Sequence, residues 1–221
     1  MTRIIRALGV AGVLSLSALS ITACSQDSDT VAVQETPEAQ ESVASIANSL
    51  FDNEVTPLSE DEKNDPVISK LEESFAQSTM ANMQAESPDD ASIDLDVEDD
   101  DVDAAFTALN LHNFFDPENT DTETKKNLIK VTFTSKWFSD IMGGDQSERT
   151  NKIEPDSVEV AEGNKEATVN PNDITEGDAH SDTLTFKFNE NNGKWYADPT
   201  EFFNFMGLDA NGNPTVNNPV E

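Results

Sequence analysis

The hydrophobic period of this chain changes at Pro155. Before it, apolar residues recur three and four positions apart; after it, they alternate. A helical period buries one stripe of a helix and a period of two buries one face of a strand. Helices first and strands afterwards predict an α+β fold, with helices packed on an antiparallel sheet.

The alternating half is the more explicit. Val158 and Val160 mark one face of a strand, Gly163-Asn164 a turn, and Ala167 with Val169 a second strand that Pro171 interrupts. From Asp182 to Asn189, Leu184, Phe186 and Phe188 point one way while Thr183, Thr185 and Lys187 point the other. Asn191-Asn192-Gly193 accepts positive φ, so Lys194 to Ala197 returns as the hairpin partner. Trp195 then enters the core and Tyr196 faces outward. Asp198-Pro199-Thr200-Glu201 opens a closing helix with an acid cap and proline at the first helical position. Phe202, Phe203, Phe205 and Met206 fill that helix until Gly207 ends it, and residues 209–221 form a polar, frayed tail.

In the helical half, Ala104, Ala105, Phe106, Ala108, Leu109, Leu111 and Phe115 predict one helix that stops at Asp116-Pro117. Thr120 to Lys130 predicts a second, opened by Asp121 or Thr122. Phe133, Trp137, Phe138, Ile141 and Met142 extend its stripe to Gly143-Gly144, although β-branched Val131, Thr132 and Thr134 favour a strand locally. Upstream, Val43, Ile46, Ala47 and Leu50, then Val67, Leu71, Phe75 and Met83, predict short amphipathic helices; the alternative is that they form only transiently or when docked onto the folded domain, since isolated helices of this length are marginal.

The N-terminus carries Arg3 and Arg6, an apolar run from Ala7 to Ile21, and small residues before Cys24. This is the order of a secretory leader. Its apolar run is broken by Ser15, Ser17 and Ser20 and falls short of the roughly 20 residues of a membrane span. Ile21-Thr22-Ala23-Cys24 resembles the lipobox of bacterial lipoproteins. The resemblance implies cleavage of the signal peptide 1–23, a diacylglyceryl group on the Cys24 sulfur, and acylation of the new amine. The expected address is the extracytoplasmic face of the cell membrane, held by acyl chains, since two or more chains anchor firmly where one does not. Cys24 is the sole cysteine, so the acylated chain forms no disulfide and has no cysteine-based metal site.

With the leader's two arginines set aside, 44 acids face 11 bases, a net of −33 against −31 for the whole chain. Such a field repels phosphates and excludes nucleic acid as a partner. Residues 25–40 are polar and without period, which predicts disorder. From Asp89 to Asp103 nine acids occur with no base between them, which predicts a solvated, extended block. The division expected is therefore a lipidated acidic tether with short helices over 24–98 and one globular domain over 99–208.

The order of parts in that domain resembles the low-molecular-weight secreted antigen family of mycobacteria and their relatives. The parts are the helix before Asp116-Pro117, Thr122 to Ile129, the strand Asp182 to Asn189, the turn before Lys194-Trp195, and the closing helix. The resemblance implies a cone-shaped domain similar to nuclear transport factor 2, with helices on a curved sheet, and no enzyme activity.

Candidate chemistry is sparse. No nucleophile motif, zinc-binding helix or phosphate loop is present. A cone can house an acid, a tyrosine and a histidine, so His112, Asp140 and Tyr196 are the residues an isomerase-like site would use. His180 lies in a polar loop, and Asp145 and Asp178 beside glycines read as turn residues. Asp94, Asp96, Glu98 and Asp100 alternate like the start of a calcium loop, but Asp99 stands where that loop needs glycine and Ala105 where it needs glutamate. Asp209 to Asn213 fails likewise, at Pro214. No cofactor or specific metal is expected. The function favoured is non-enzymatic binding at the cell envelope, of an envelope protein or a small apolar ligand. The alternative is a small-molecule carrier or isomerase using the cone interior.

Overall fold

The computed structural model describes residues 34–83, 95–141, 152–170, 183–210 and 212. The leader with Cys24, Met142 to Asp145, Pro171, Asp178, His180, Asp182 and most of the tail lie outside them.

Among the described residues, six α-helices and four strands follow in chain order: α1 Thr36–Val55, α2 Glu60–Lys63, α3 Pro66–Met83, α4 Val102–Ala108, α5 Thr122–Ile141, β1 Glu159–Val160, β2 Glu166–Val169, β3 Leu184–Asn189, β4 Lys194–Ala197 and α6 Pro199–Phe205. The strands form an antiparallel meander in sequence order, with Ala167 opposite Phe186 and Phe188 opposite Trp195. Helices on an antiparallel sheet are the α+β architecture that the change of period predicts.

The turns follow their sequence cues. Gly163 and Asn164 sit at φ of 91° and 53°, and Gly193 at 71° closes the β3–β4 hairpin. The Asp198 side chain accepts from the amides of Thr200 and Glu201, and Pro199 follows it at the first helical position of α6. Leu184, Phe186, Phe188 and Trp195 are buried, as the alternation predicts, and so are Phe202, Phe203 and Phe205 of α6.

The tether expectation needs correction. Residues 36–83 are not a spacer: α1 has 20 residues, and its Ala39, Val43, Ala47 and Leu50 are fully buried in the same core as Phe186 and Trp195. α3 adds Ile68, Leu71 and Phe75 to that core. A helix too marginal to persist alone is stabilised by burying its apolar face. The expected boundary near residue 99 therefore cuts through one hydrophobic core.

The described part of the acidic block, residues 95–103, is also more structured than expected; Asp89, Asp90 and Asp94 lie outside the described residues. Leu95 and Val97 are buried, and Asp99–Asp101 form a 3-10 turn leading into α4. Asp99 pairs with Lys126 at 2.6 Å, Asp101 with Lys70 at 2.7 Å and Asp103 with Lys125 at 2.7 Å. These solvent-screened pairs each contribute little to stability. They nevertheless lay the acids along lysines of α3 and α5.

The expected helix through Phe115 stops at Ala108. Asn110 takes the left-handed conformation, φ 62°, which asparagine tolerates better than most residues, and a 3-10 turn spans Leu111–Asn113. Conversely, α5 runs without a break through Val131, Thr132 and Thr134 because packing overrides their strand preference. Its stripe fades toward the end, where Phe138 and Ile141 are 46% and 58% exposed.

Candidate functional site

On the outward face of the sheet, Tyr196 of β4 stands opposite Lys187 of β3. β4 is the edge strand, and the backbone of the segment after α4 runs beside it: the Ala197 amide donates to the Phe114 carbonyl at 2.8 Å. Asp116 then reaches back over the sheet. Its Oδ2 accepts from Asn189 Nδ2 on β3 at 2.6 Å and from Asn119 Nδ2 at 2.7 Å, while Oδ1 accepts from the Glu118 amide at 3.0 Å. The loop thereby covers Tyr196, which faces outward as expected yet is only 5% exposed.

The result is an open cleft of about 570 Å3 between this loop, the β3–β4 hairpin and the start of α6. Asp116, Asp121, Lys187, Glu190, Tyr196 and Asp198 carry its ionisable chemistry. Each acid is already engaged. Asp121 accepts from the Thr124 amide and hydroxyl, both at 2.9 Å, Asp198 takes Lys187 at 2.6 Å, and Glu190 takes Lys165 at 2.9 Å. Burial works to raise the Asp116 carboxyl, but its hydrogen bonds from Asn119, Asn189 and the Glu118 and Asn119 amides outweigh it and hold its pKa below the usual value. A carboxylate so held is a poor proton acceptor at neutral pH. Burial, with the charges of Asp116 and Glu118, pushes the Tyr196 phenol up against a bond from Asn192. It stays neutral. The cleft offers hydrogen bonds and an excess of negative charge, but no base aimed at a reacting proton.

Of the three residues considered for isomerase-like chemistry, Tyr196 alone lines this cleft. Asp140 lies near the end of α5, paired with Lys63 of α2 at 2.9 Å. His112 is half-buried in the 3-10 turn after α4, with no hydrogen-bond partner at Nδ1. The fold does not assemble the three. Among the described residues no group of His, Cys, Asp or Glu side chains is arranged to hold a metal ion, and no helix is long and apolar enough to cross a membrane.

A second polar cluster, absent from the sequence reading, joins α1, α2 and α5. Glu54, Glu62 and Lys136 are 4%, 8% and 2% exposed, and Thr132 beside them is fully buried. The signal was present in the stripes. Val43, Ala47, Leu50 and Glu54 fall at spacings of four, three and four, and Ile129, Thr132 and Lys136 at three and four. Neither the large cleft nor two smaller ones, of about 270 and 170 Å3, is lined by these charged residues. The cluster is sealed within the helices.

Comparison with protein-family models, with curated proteins and with solved structures returns no match to this chain.

Proposed function

We propose that this chain is a lipid-anchored, extracytoplasmic binding module: Cys24 is acylated after removal of residues 1–23, and the cleft over Tyr196 is its ligand-binding face. One observation supports binding over catalysis before all others. The inner face of the sheet is filled by Phe186, Trp195, Phe202 and Phe203, each 2% exposed or less, and the polar cleft lies outside, with its acids already hydrogen-bonded or paired. An isomerase or carrier would need a cavity where these aromatic side chains stand.

The docking of α1 changes what anchoring means. Nine residues lie between Cys24 and Gln34, ten steps of chain that even fully extended reach at most about 35 Å. The body would sit close to the bilayer rather than at the end of a long spacer, and its net negative charge would hold it off anionic headgroups. The cleft's polar, acid-rich lining fits an envelope protein presenting basic or hydroxyl-bearing groups better than a small apolar ligand.

The proposed kinship with the low-molecular-weight secreted antigen family, and a cone of the nuclear-transport-factor-2 type, draws on the same features. They are helices before a four-stranded antiparallel meander and a short aromatic helix, α6, closing after β4. The test of anchoring is intact-mass analysis of the membrane-extracted protein beside Cys24→Ser. A start at residue 24 with a lipid mass increment, abolished in the variant, is the expected result; a free thiol or a retained leader rejects it. Crosslinked pull-down from envelopes, with and without Asn189→Ala/Tyr196→Phe in the cleft, tests binding separately.

A further inference from the structure

The sealed cluster is built from all three helices around it. Glu54 lies in the last turn of α1, where its Oε1 accepts from Thr132 Oγ1 of α5 at 2.5 Å. Its Oε2 is buried without a hydrogen-bond partner. Lys136 of α5 places Nζ 3.2 Å from Glu62 Oε1 of α2, and 3.3 Å and 3.5 Å from the side-chain and backbone oxygens of Asn53. The other Glu62 oxygen accepts from the Ser59 amide at 2.6 Å, so this residue both caps α2 and holds the lysine.

Among the described residues, the buried charges facing the seam are thus Glu54 from α1, Glu62 from α2 and Lys136 from α5. At its rim Lys63 and Asp140 form a partly exposed pair between α2 and α5. The neutral contacts are the Ser139 hydroxyl, which donates to the Val55 carbonyl, and the Asn53 amide, which donates to the Leu109 carbonyl beyond α4. Lys136 and Glu62 balance each other. An ionised Glu54 leaves one negative charge uncompensated at a buried site, with one oxygen that has no hydrogen-bond partner. A protonated Glu54 leaves the seam neutral. Burying an unbalanced charge costs far more than burying a neutral acid.

We propose that Glu54, Glu62 and Lys136 form a proton-operated latch: with Glu54 protonated, the end of α1 and α2 close on α5, and loss of that proton loosens them. Burial, the largest influence, raises the Glu54 pKa from 4.5 to about 7 against the lowering effects of the Thr132 bond and the Lys136 charge. The direction of linkage follows. A carboxyl whose folded pKa exceeds its unfolded value gives its full stabilisation below about 4.5 and loses it as pH rises through about 7. The seam is therefore closed in mildly acidic surroundings and strained in alkaline ones.

Hydrogen exchange followed by mass spectrometry on the full chain, at about pH 5.5 and 8.5 and corrected for intrinsic rates, reads the latch directly. Protection of residues 50–63 is expected to fall about tenfold or more between the two, and to stay level in Glu54→Gln, which carries a neutral group of the same shape. An equal fall in the variant, or no fall in the parent, overturns the proposal. Carbon-13 carboxyl titration of the parent gives a readout that needs no variant to fold: one glutamate titrating near 7 is required, and all glutamates titrating in the ordinary range overturns it.

Discussion

The indole Nε1 of Trp195 donates to Oε1 of Gln34 at 2.9 Å, joining two residues 161 positions apart. Asn164, in the β1–β2 turn, donates to the backbone carbonyl of the same glutamine at 2.9 Å. The first described residue is thus pinned to the last hairpin of the sheet before α1 begins. Gln40 and Asn48 continue the attachment, donating to the carbonyls of Val158 and Ile153 at 2.9 Å and 3.0 Å.

If α1 to α3 are part of the core, a fragment beginning at residue 99 will not fold. It exposes the surfaces that Val43, Ala47, Leu50, Ile68 and Phe75 cover. Circular dichroism on heating is expected to show no cooperative transition for that fragment, and a sharp one for a fragment beginning at residue 34. Cooperative melting of the shorter piece would restore the view of residues 24–98 as a tether.

Gln34→Ala leaves the Trp195 N–H, on a residue 1% exposed, without its acceptor. The cost of an orphaned buried donor is about 1–3 kcal/mol. Urea denaturation is expected to show that loss, and Trp195→Phe in the same background should add less than it does alone. Additive effects would mean the bond does not contribute in solution.

Lys136→Ala removes the positive charge that faces two buried carboxylates and should cost about 3–5 kcal/mol at pH 8. Lys136→Met with Glu62→Gln keeps the volume and removes both charges, so it should recover most of that loss. A double variant as unstable as the single one would show that packing, not charge, sets the cost.

Tyr196 is the sole tyrosine, so its ionisation can be followed by ultraviolet absorbance without interference from another phenol. Burial and the Asp116 and Glu118 charges raise its pKa above 10.0. Asp116→Ala removes one of those charges and the Asn189 bond that holds the loop over the ring. The titration is expected to move down toward the ordinary value, and an unmoved titration would show that the loop does not cover the ring in solution.

Asp116 also sets an acid limit. Its folded pKa lies below the unfolded 3.8, so the stability it contributes is complete above that value and declines as pH falls through the folded one. Asp116→Asn should therefore narrow the gap between the stability measured near pH 6 and that near pH 3. A gap of the same size would assign the acid loss to other carboxylates.

The hairpins, the aromatic inner face and the cap of α6 were legible because each is fixed by neighbours in sequence. Alternation places Phe186 and Phe188, Gly193 permits the turn, and Asp198 meets amides two and three residues ahead. Even the break in α4 had a local cue in Asn110. The docking of α1 did not, because an amphipathic stripe says that a face must be covered without saying by what. The cleft was illegible for the same reason: Asp116 and Asn189 are 73 residues apart, and nothing in their types announces that they meet.

Local chemistry alone determined the α+β class, the positions of the strands with the β3–β4 hairpin, and the apolar run that precedes Cys24, since each depends on the period or spacing of nearby side chains. Tertiary structure alone decided that α1 and α3 enter the core, that Tyr196 is covered, and that Glu54, Glu62 and Lys136 share one sealed space. Those outcomes depend on which surfaces meet across long stretches of chain. The energy of burying a face or a charge is settled only when its partner arrives.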